Sequence, residues 1–264
     1  MKRALVLGPG GVVGTAWLAG LAVGLRRTGV DLADADLIVG TSAGAIVGAM
    51  LAVGEDLDRL ASLPGPRDGD TTTDPARLAE VFATLGDPAL DREEKLRRIG
   101  RVALTADVAP ERAHLDRTAA LINARDWPGR PLLITAVDTE TGESVVWDQD
   151  GDAPLLSAVA SSYAVPGLYP PVTINGHRYM DGAFRAGASA DLAAGADVVI
   201  VIEPLAHVFP SGSPLSIAPD QEALDAFGSD LHDRSAWEAS YQAGVRQAAP
   251  AAERVGGLWN GTAG

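Results

Sequence analysis

The chain has no cysteine among its 264 residues. That absence excludes a disulfide framework, a thiol nucleophile and a zinc–thiolate site, and it fits a reducing, cytoplasmic compartment. Basic residues are scarce as well: 21 Lys and Arg stand against 35 Asp and Glu, for a formal net charge of −14. Surfaces that hold nucleic acid or anionic lipid carry the opposite balance, so the charge argues against both kinds of partner. Only four histidines are present, and neither they nor the carboxylates fall at metal-ligand spacing, so no metal and no cofactor is expected.

A long apolar run is also missing once the N-terminus is read closely. Met1-Lys2-Arg3 precede 22 uncharged residues, Ala4 to Leu25, which is the outline of a signal peptide or membrane span. Pro9, Gly10 and Gly11 break that run, and six glycines fall within it. A strand over Ala4–Leu7, a glycine-rich loop from Gly8 to Gly14 and a helix over about Thr15–Thr28 fit better. No stable membrane insertion is expected.

What the chain does have is a serine in a demanding local setting. Leu37-Ile38-Val39 reads as a buried strand, Gly40-Thr41-Ser42-Ala43-Gly44 as a sharp turn, and the small residues that follow as a helix up to Val53. This is G-x-S-x-G in strand–turn–helix order, the arrangement that presents a serine hydroxyl on a strained turn. Gly40 and Gly44 are required where a Cβ would strike the neighbouring strand or helix. Ser42 would also stand at a helix N-terminus, whose N–H groups favour developing negative charge. A serine there can equally be a plain helix cap.

The loop Gly8-Pro9-Gly10-Gly11-Val12-Val13-Gly14 admits two functional readings. A dinucleotide fingerprint needs G-x-G-x-x-G, and counted from Gly8 its third glycine falls on Val13. The acidic residue expected after a second strand is replaced by the serine turn. The other reading is an oxyanion hole, in which exposed backbone N–H groups receive the oxygen of a tetrahedral intermediate. A serine elbow on the next strand favours the second.

Downstream, a polar Pro/Gly-rich loop covers Ser62 to Pro75, and helices are expected over about Pro75–Leu85, Asp91–Leu104 and Pro110–Arg125. Leu78, Val81, Phe82 and Leu85 form one apolar stripe. Leu132–Val137 and Ser144–Trp147 read as a hairpin, followed by a helix over about Pro154–Ser162. Val172–Met180 reads as a second hairpin turning at Asn175-Gly176, which delivers Asp181-Gly182-Ala183. A helix over Ala188–Ala194, a core strand over Ala196–Ile202 and a last helix over about Ser235–Ala248 complete the pattern. Residues Gly256 to Gly264 are expected to fray. No internal repeat appears, and nothing in the patterning specifies an oligomeric state. The length suits one large α/β domain or at most two small ones.

Three pieces resemble the patatin-like phospholipase family, along most of the chain to about Pro204. Ala4 to Gly14 resembles its glycine-rich segment, Gly40 to Gly44 its nucleophile elbow, and the run from Ala160 to Ala183 the segment that ends in its catalytic Asp-Gly-Gly/Ala. The first piece departs from the family's G-G-G-x-R/K-G: Pro9 replaces a glycine and removes a donor, and Val13 replaces the basic residue. The resemblance implies a three-layer α/β/α sandwich with a mostly parallel central sheet. It also implies hydrolysis of acyl esters of lipids by a Ser-Asp dyad. Ser42 would be the nucleophile and Asp181 the general base. Gly10 and Gly11 would donate to the oxyanion, with the N–H of Val12 or Ala43 as extra donors, and Gly14, Gly40, Gly44, Gly182 and Ala183 would support the motifs. Residues 1–204 would form the core and 205–264 a helical extension packed on it. The alternatives are an α/β-hydrolase triad that recruits His114, His177, His207 or His232, a non-catalytic patatin-like protein, and a dinucleotide-binding module.

Overall fold

The computed structural model describes residues 1–63 and 73–261. Its centre is one eight-stranded sheet in the order β5-β6-β3-β2-β1-β7-β8, with β4, off this path, also paired to β3. The strands are β1 (Arg3–Leu7), β2 (Leu37–Gly40), β3 (Leu132–Asp138), β4 (Ser144–Trp147), β5 (Val172–Ile174), β6 (His177–Asp181), β7 (Val198–Ile202) and β8 (Ser216–Ile217). From β3 through β2, β1 and β7 to β8 every pairing is parallel, while β4, β5 and β6 join antiparallel.

The period-two alternation of the central strands divides them between two faces. Leu5, Leu7, Ile38, Ile134, Ile200 and Ile202 share one core with helices α1 (Gly11–Arg27), α2 (Ala43–Val53), α6 (Leu155–Ser162) and α9 (Trp237–Trp259). Ala4, Val6, Val39 and Val201 face the other way, onto Ala188 and Ala193. Farther along that second face, Val137 and Met180 pack with Val81 of α3 (Pro75–Gly86) and Ile99 of α4 (Arg92–Thr105). The result is the expected three-layer sandwich, with one thick helical layer and one thin.

Several element boundaries differ from the sequence reading. Helix α1 starts at Gly11 and not near Thr15, because the carbonyl of Leu231 accepts the N–H groups of Val12 (2.9 Å) and Val13 (3.2 Å) and completes its first turn. Helix α5 (Glu111–Leu121) stops short of Arg125 because the Glu55 carboxylate takes the N–H groups of Asn123 and Ala124. The expected helix over Ala188–Ala194 is a single 3-10 turn, Ala190–Ala193, preceded by the short α7 (Ala183–Ala186). On α3 only Val81 of the apolar stripe is fully buried, and Phe82 is 56% exposed at the rim. Helix α9 runs through Pro250 to Trp259, well past Ala248. The Trp259 indole N–H donates to the Asp31 carbonyl, so the helix is anchored through Trp259, within the stretch expected to fray; residues 262–264 of that stretch lie outside the described residues. The edge strand β8 and helix α8 (Gln221–Phe227) have no counterpart in the sequence reading. Residues 64–72 of the expected loop 62–75 lie outside the described residues.

Candidate active site

Strands β1 and β2 lie side by side in register, with Leu7 opposite Gly40, so the glycine loop and the serine turn leave the same edge of the sheet together. They are stitched to each other by Thr41 N–H to the Leu7 carbonyl (3.0 Å) and Gly44 N–H to the Gly8 carbonyl (3.2 Å). This close approach accounts for the two glycines of the elbow. A Cβ on Gly44 would stand 2.0 Å from the Leu7 carbonyl oxygen, and one on Gly40 would stand 2.7 Å from the Ala45 Cα. Ser42 itself has φ 56° and ψ −119°. Such backbone costs about 1–3 kcal/mol and persists only where the surroundings over-determine it.

Ser42 Oγ donates a 2.7 Å hydrogen bond to Asp181 Oδ2. Both residues are buried, at 4% and 2% exposure. Asp181 is the last residue of β6, paired with Ala136 of β3, and it is delivered there by the tight turn in which Asn175 and Gly176 both have positive φ. Gly182 follows because a Cβ there would meet the Thr135 carbonyl oxygen at 2.2 Å. The second carboxylate oxygen, Oδ1, accepts the Ala183 N–H at 2.8 Å. Burial pushes the Asp181 carboxyl up to about 7, against the pull of the Ala183 N–H and the Ser42 hydroxyl.

The glycine loop is shorter than expected, because α1 starts at Gly11. Gly8 N–H is used by the Ile202 carbonyl, and Val12 N–H by Leu231, so Val12 is not an extra donor. The N–H groups of Gly10, Gly11 and Ala43 have no acceptor among the described residues; Gly11 and Ala43 each open a helix, where no intrahelical acceptor exists. Gly10 and Gly14 are both set by Pro204, whose ring lies 2.8 Å and 3.0 Å from the Cβ each would carry.

Residues 5–194 match the family model described as patatin-like phospholipase. The chain belongs to the patatin-like phospholipase family. Two relatives, each named an uncharacterized NTE family protein, come from Mycobacterium tuberculosis and Mycobacterium bovis. Each is 29% identical over 201 residues, which are 72% of this chain and 47% of the relative. The chain thus spans about half the length of the curated relatives it matches. Among solved structures, VipD from Legionella pneumophila is similar at TM-score 0.42 and 15% identity, over 76% of this chain and 49% of that one. The type III effector ExoU is similar at TM-score 0.42 and 16% identity, over 96% and 53%.

In this patatin-like chain, Val13 stands where the family pattern has a basic residue, and its side chain is fully buried in the main core. None of the four histidines hydrogen-bonds to Ser42 or Asp181 among the described residues. His114 is completely buried against Tyr163 and Tyr169, with Nε2 on the Ala160 carbonyl. His177 is paired with Asp138 and His232 with Asp230, and His207 is exposed. No group of potential metal ligands and no helix long and apolar enough to cross a membrane occurs among the described residues. Two contributors to the site escaped the sequence reading. Ser162, whose Oγ accepts the Ser42 N–H at 2.9 Å, lay unremarked inside the run from Ala160 to Ala183. Leu231 acts through its carbonyl, so its side chain gives no signal.

Proposed function

We propose that the chain is a serine acyl hydrolase that cleaves carboxylic esters of lipids, as a phospholipase, lysophospholipase or esterase. The observation that carries this reading is the buried hydrogen bond from Ser42 Oγ to Asp181 at a strained strand–helix turn. Asp181, with its carboxyl pushed up to about 7, is a far better base near neutral pH than an ordinary carboxylate. It takes the Ser42 proton as Oγ attacks the ester carbonyl carbon. The carbonyl oxygen becomes an oxyanion and is received by the N–H groups of Gly10 and Gly11, with Ala43 as a third donor. Collapse of the intermediate breaks the C–O bond, and protonated Asp181 returns its proton to the leaving alcohol. Water, deprotonated by Asp181, then attacks the acyl-enzyme; as the C–Oγ bond breaks, Asp181 returns that proton to Ser42 Oγ, and the carboxylic acid is freed.

Residues 1–204 form the acyl hydrolase core in this reading. The segment 205–264 is a helical extension that packs on the core through α9 and the Leu231 carbonyl. The lipid or other acyl ester is the partner, no cofactor takes part, and the cysteine-free chain works in the cytoplasm. A fluorophosphonate probe tests the reading: adduct should form on the Ser42 peptide and be lost in Ser42→Ala. A series of p-nitrophenyl esters of increasing chain length then defines the acyl preference. Labelling elsewhere, or hydrolysis undiminished in Ser42→Ala, would overturn the assignment.

A further inference from the structure

We infer that Ser162 is a positioning residue that ties Ser42 to Asp181, an inference that rests on the reading of Ser42 as nucleophile. Ser162 is the last residue of α6 and is completely buried. Its Oγ accepts the Ser42 N–H at 2.9 Å, and its carbonyl accepts the Gly182 N–H at 3.0 Å. Two residues on, the Ala164 carbonyl accepts the Asp181 N–H at 3.1 Å. One helix end therefore holds the backbone of both members of the pair.

The chemistry of the helix end makes this possible. The last carbonyls of a helix have no intrahelical donor, so they are free to take N–H groups from another element. Ser42 has the complementary need. At φ 56° its N–H leaves the β2 ladder and precedes the α2 ladder, and the buried Ser162 Oγ is its acceptor. Take that acceptor away and the strained turn keeps an unpaired buried N–H, which favours relaxation toward ordinary backbone. The hydroxyl would then swing off the Asp181 carboxylate, and misplacement of a nucleophile by about 1 Å costs about 10²-fold in rate.

A serine that merely fills space at the end of α6 predicts something else: reduced stability with catalysis per folded molecule unchanged. The neighbouring Ser161 serves as the control. It is equally buried, and its Oγ bonds to the Ala158 carbonyl and the Trp147 indole, not to the pair. The experiment measures kcat, KM, the fluorophosphonate labelling rate and the pH–rate profile for Ser162→Ala and Ser161→Ala. We expect Ser162→Ala to lower kcat and the labelling rate by about 10- to 100-fold. KM should stay within about threefold, and the acid limb should not move, because the burial of Asp181 is untouched. Ser161→Ala should keep kcat within about threefold.

If Ser162→Ala does not fold, Ser162→Cys carries the same readouts, since a thiol of similar size accepts weakly. A loss of about fivefold or more is then expected. A labelling rate unchanged from the parent in whichever variant folds overturns the inference. Amide hydrogen exchange at Ser42 reads the tether independently of turnover: protected in the parent, it should exchange at least about tenfold faster without the Ser162 acceptor. Unaltered protection also overturns it. A parent that does not label at Ser42 would instead sink the hydrolase reading, leaving the exchange comparison to decide the tether.

Discussion

Asp181 and His114 are both buried ionisable side chains beside α6, and burial drives each toward its neutral form. For the carboxyl that means a rise to about 7, and for the imidazole a fall to about 3. The same physical cause brings one group into the working range of a base and takes the other out of it. Their surroundings diverge as well. Asp181 faces a hydroxyl that can give up a proton, whereas His114 faces a carbonyl that can only accept. Nε2 must therefore carry the imidazole hydrogen, and Nδ1 has no hydrogen-bond partner among the described residues. A fold that buries its carboxylate this way has no need of a histidine to raise basicity, which is the physical argument for a two-residue site.

The largest test of that contrast is removal of the pair itself. Ser42→Ala should lower kcat by about 10⁴-fold or more, and Asp181→Asn should match it, since Asn cannot take a proton. Circular dichroism and unfolding should show both proteins folded. A turnover assay in which Asp181→Asn retains more than a hundredth of parental kcat would leave the carboxylate without the role given to it. Next in size is Gly11→Ala. Gly11 has φ +64°, and its Cβ would stand 2.7 Å from the Leu231 carbonyl oxygen, so the substitution displaces a donor of the glycine loop. A fall of about 10²–10³ in kcat is expected; an unchanged kcat would take the loop out of the reaction.

The two buried groups also pull stability in opposite directions with pH. Asp181 is raised from 3.8 to about 7, so the folded state holds its proton more tightly. The stability it contributes is full below pH 3.8 and is lost as pH rises through 7, by about 4 kcal/mol. His114 is lowered from 6.5 to about 3, so its contribution is intact above 6.5 and is lost as pH falls toward 3. Between about pH 4 and 6.5 the two slopes offset each other in the parent. Asp181→Asn should gain on the parent as pH rises, by about 4 kcal/mol from pH 4 to 8. His114→Gln should gain on it as pH falls, by about 3 kcal/mol from pH 6.5 to 4. Urea unfolding across that range reads both differences. Curves parallel to the parent would mean that neither group has the burial-driven shift. The acid limb of kcat/KM should likewise lie near pH 7, not near pH 4.

The elbow is legible in the sequence because its constraints are local. An apolar run, a G-x-S-x-G turn and a small-residue helix follow one another within the stretch from Leu37 to Val53, and each glycine is forced by atoms a few residues away or on the next strand. Asp181 is legible only through the resemblance of the whole run that ends in it, since an Asp-Gly pair after a hairpin is otherwise an ordinary turn. What escapes reading is made by backbone from distant parts of the chain. The Leu231 carbonyl lengthens α1 by a turn from more than two hundred residues away. Pro250 and Gly256-Gly257 look like a helix stop, yet α9 continues. It lies so close against α1 that a Cβ on Gly20 would stand 2.0 Å from the Tyr241 carbonyl oxygen, and the buried Trp259 secures its end. Glycine at Gly20 and Gly244 serves helix contact, and composition alone cannot distinguish that use from a loop.

The smallest expected effects come from the histidines, and they decide between a dyad and a triad. None of His177, His207 and His232 hydrogen-bonds to the pair among the described residues; His177 Nδ1 lies 3.3 Å from Asp138 and His232 Nδ1 3.8 Å from Asp230. Each His→Gln change should therefore leave kcat/KM within about tenfold. His114 is the sharper case, because a buried imidazole with an idle Nδ1 is the one that could have been a hidden base. Its ring is held between Tyr163 and Tyr169 at centroid distances of 4.5 and 4.8 Å, and Nε2 is tied to the Ala160 carbonyl. With its proton affinity pressed down to about 3, it stays neutral throughout the range in which Asp181 changes charge. Gln keeps a donor for Ala160 but loses the stacking, so His114→Gln should cost about 1–2 kcal/mol of stability. Its kcat/KM per folded molecule should remain within about tenfold of the parent, with the acid limb unmoved. Loss of turnover in a folded His→Gln protein, at any of the four positions, would make that histidine the base and reduce Asp181 to its orienting partner.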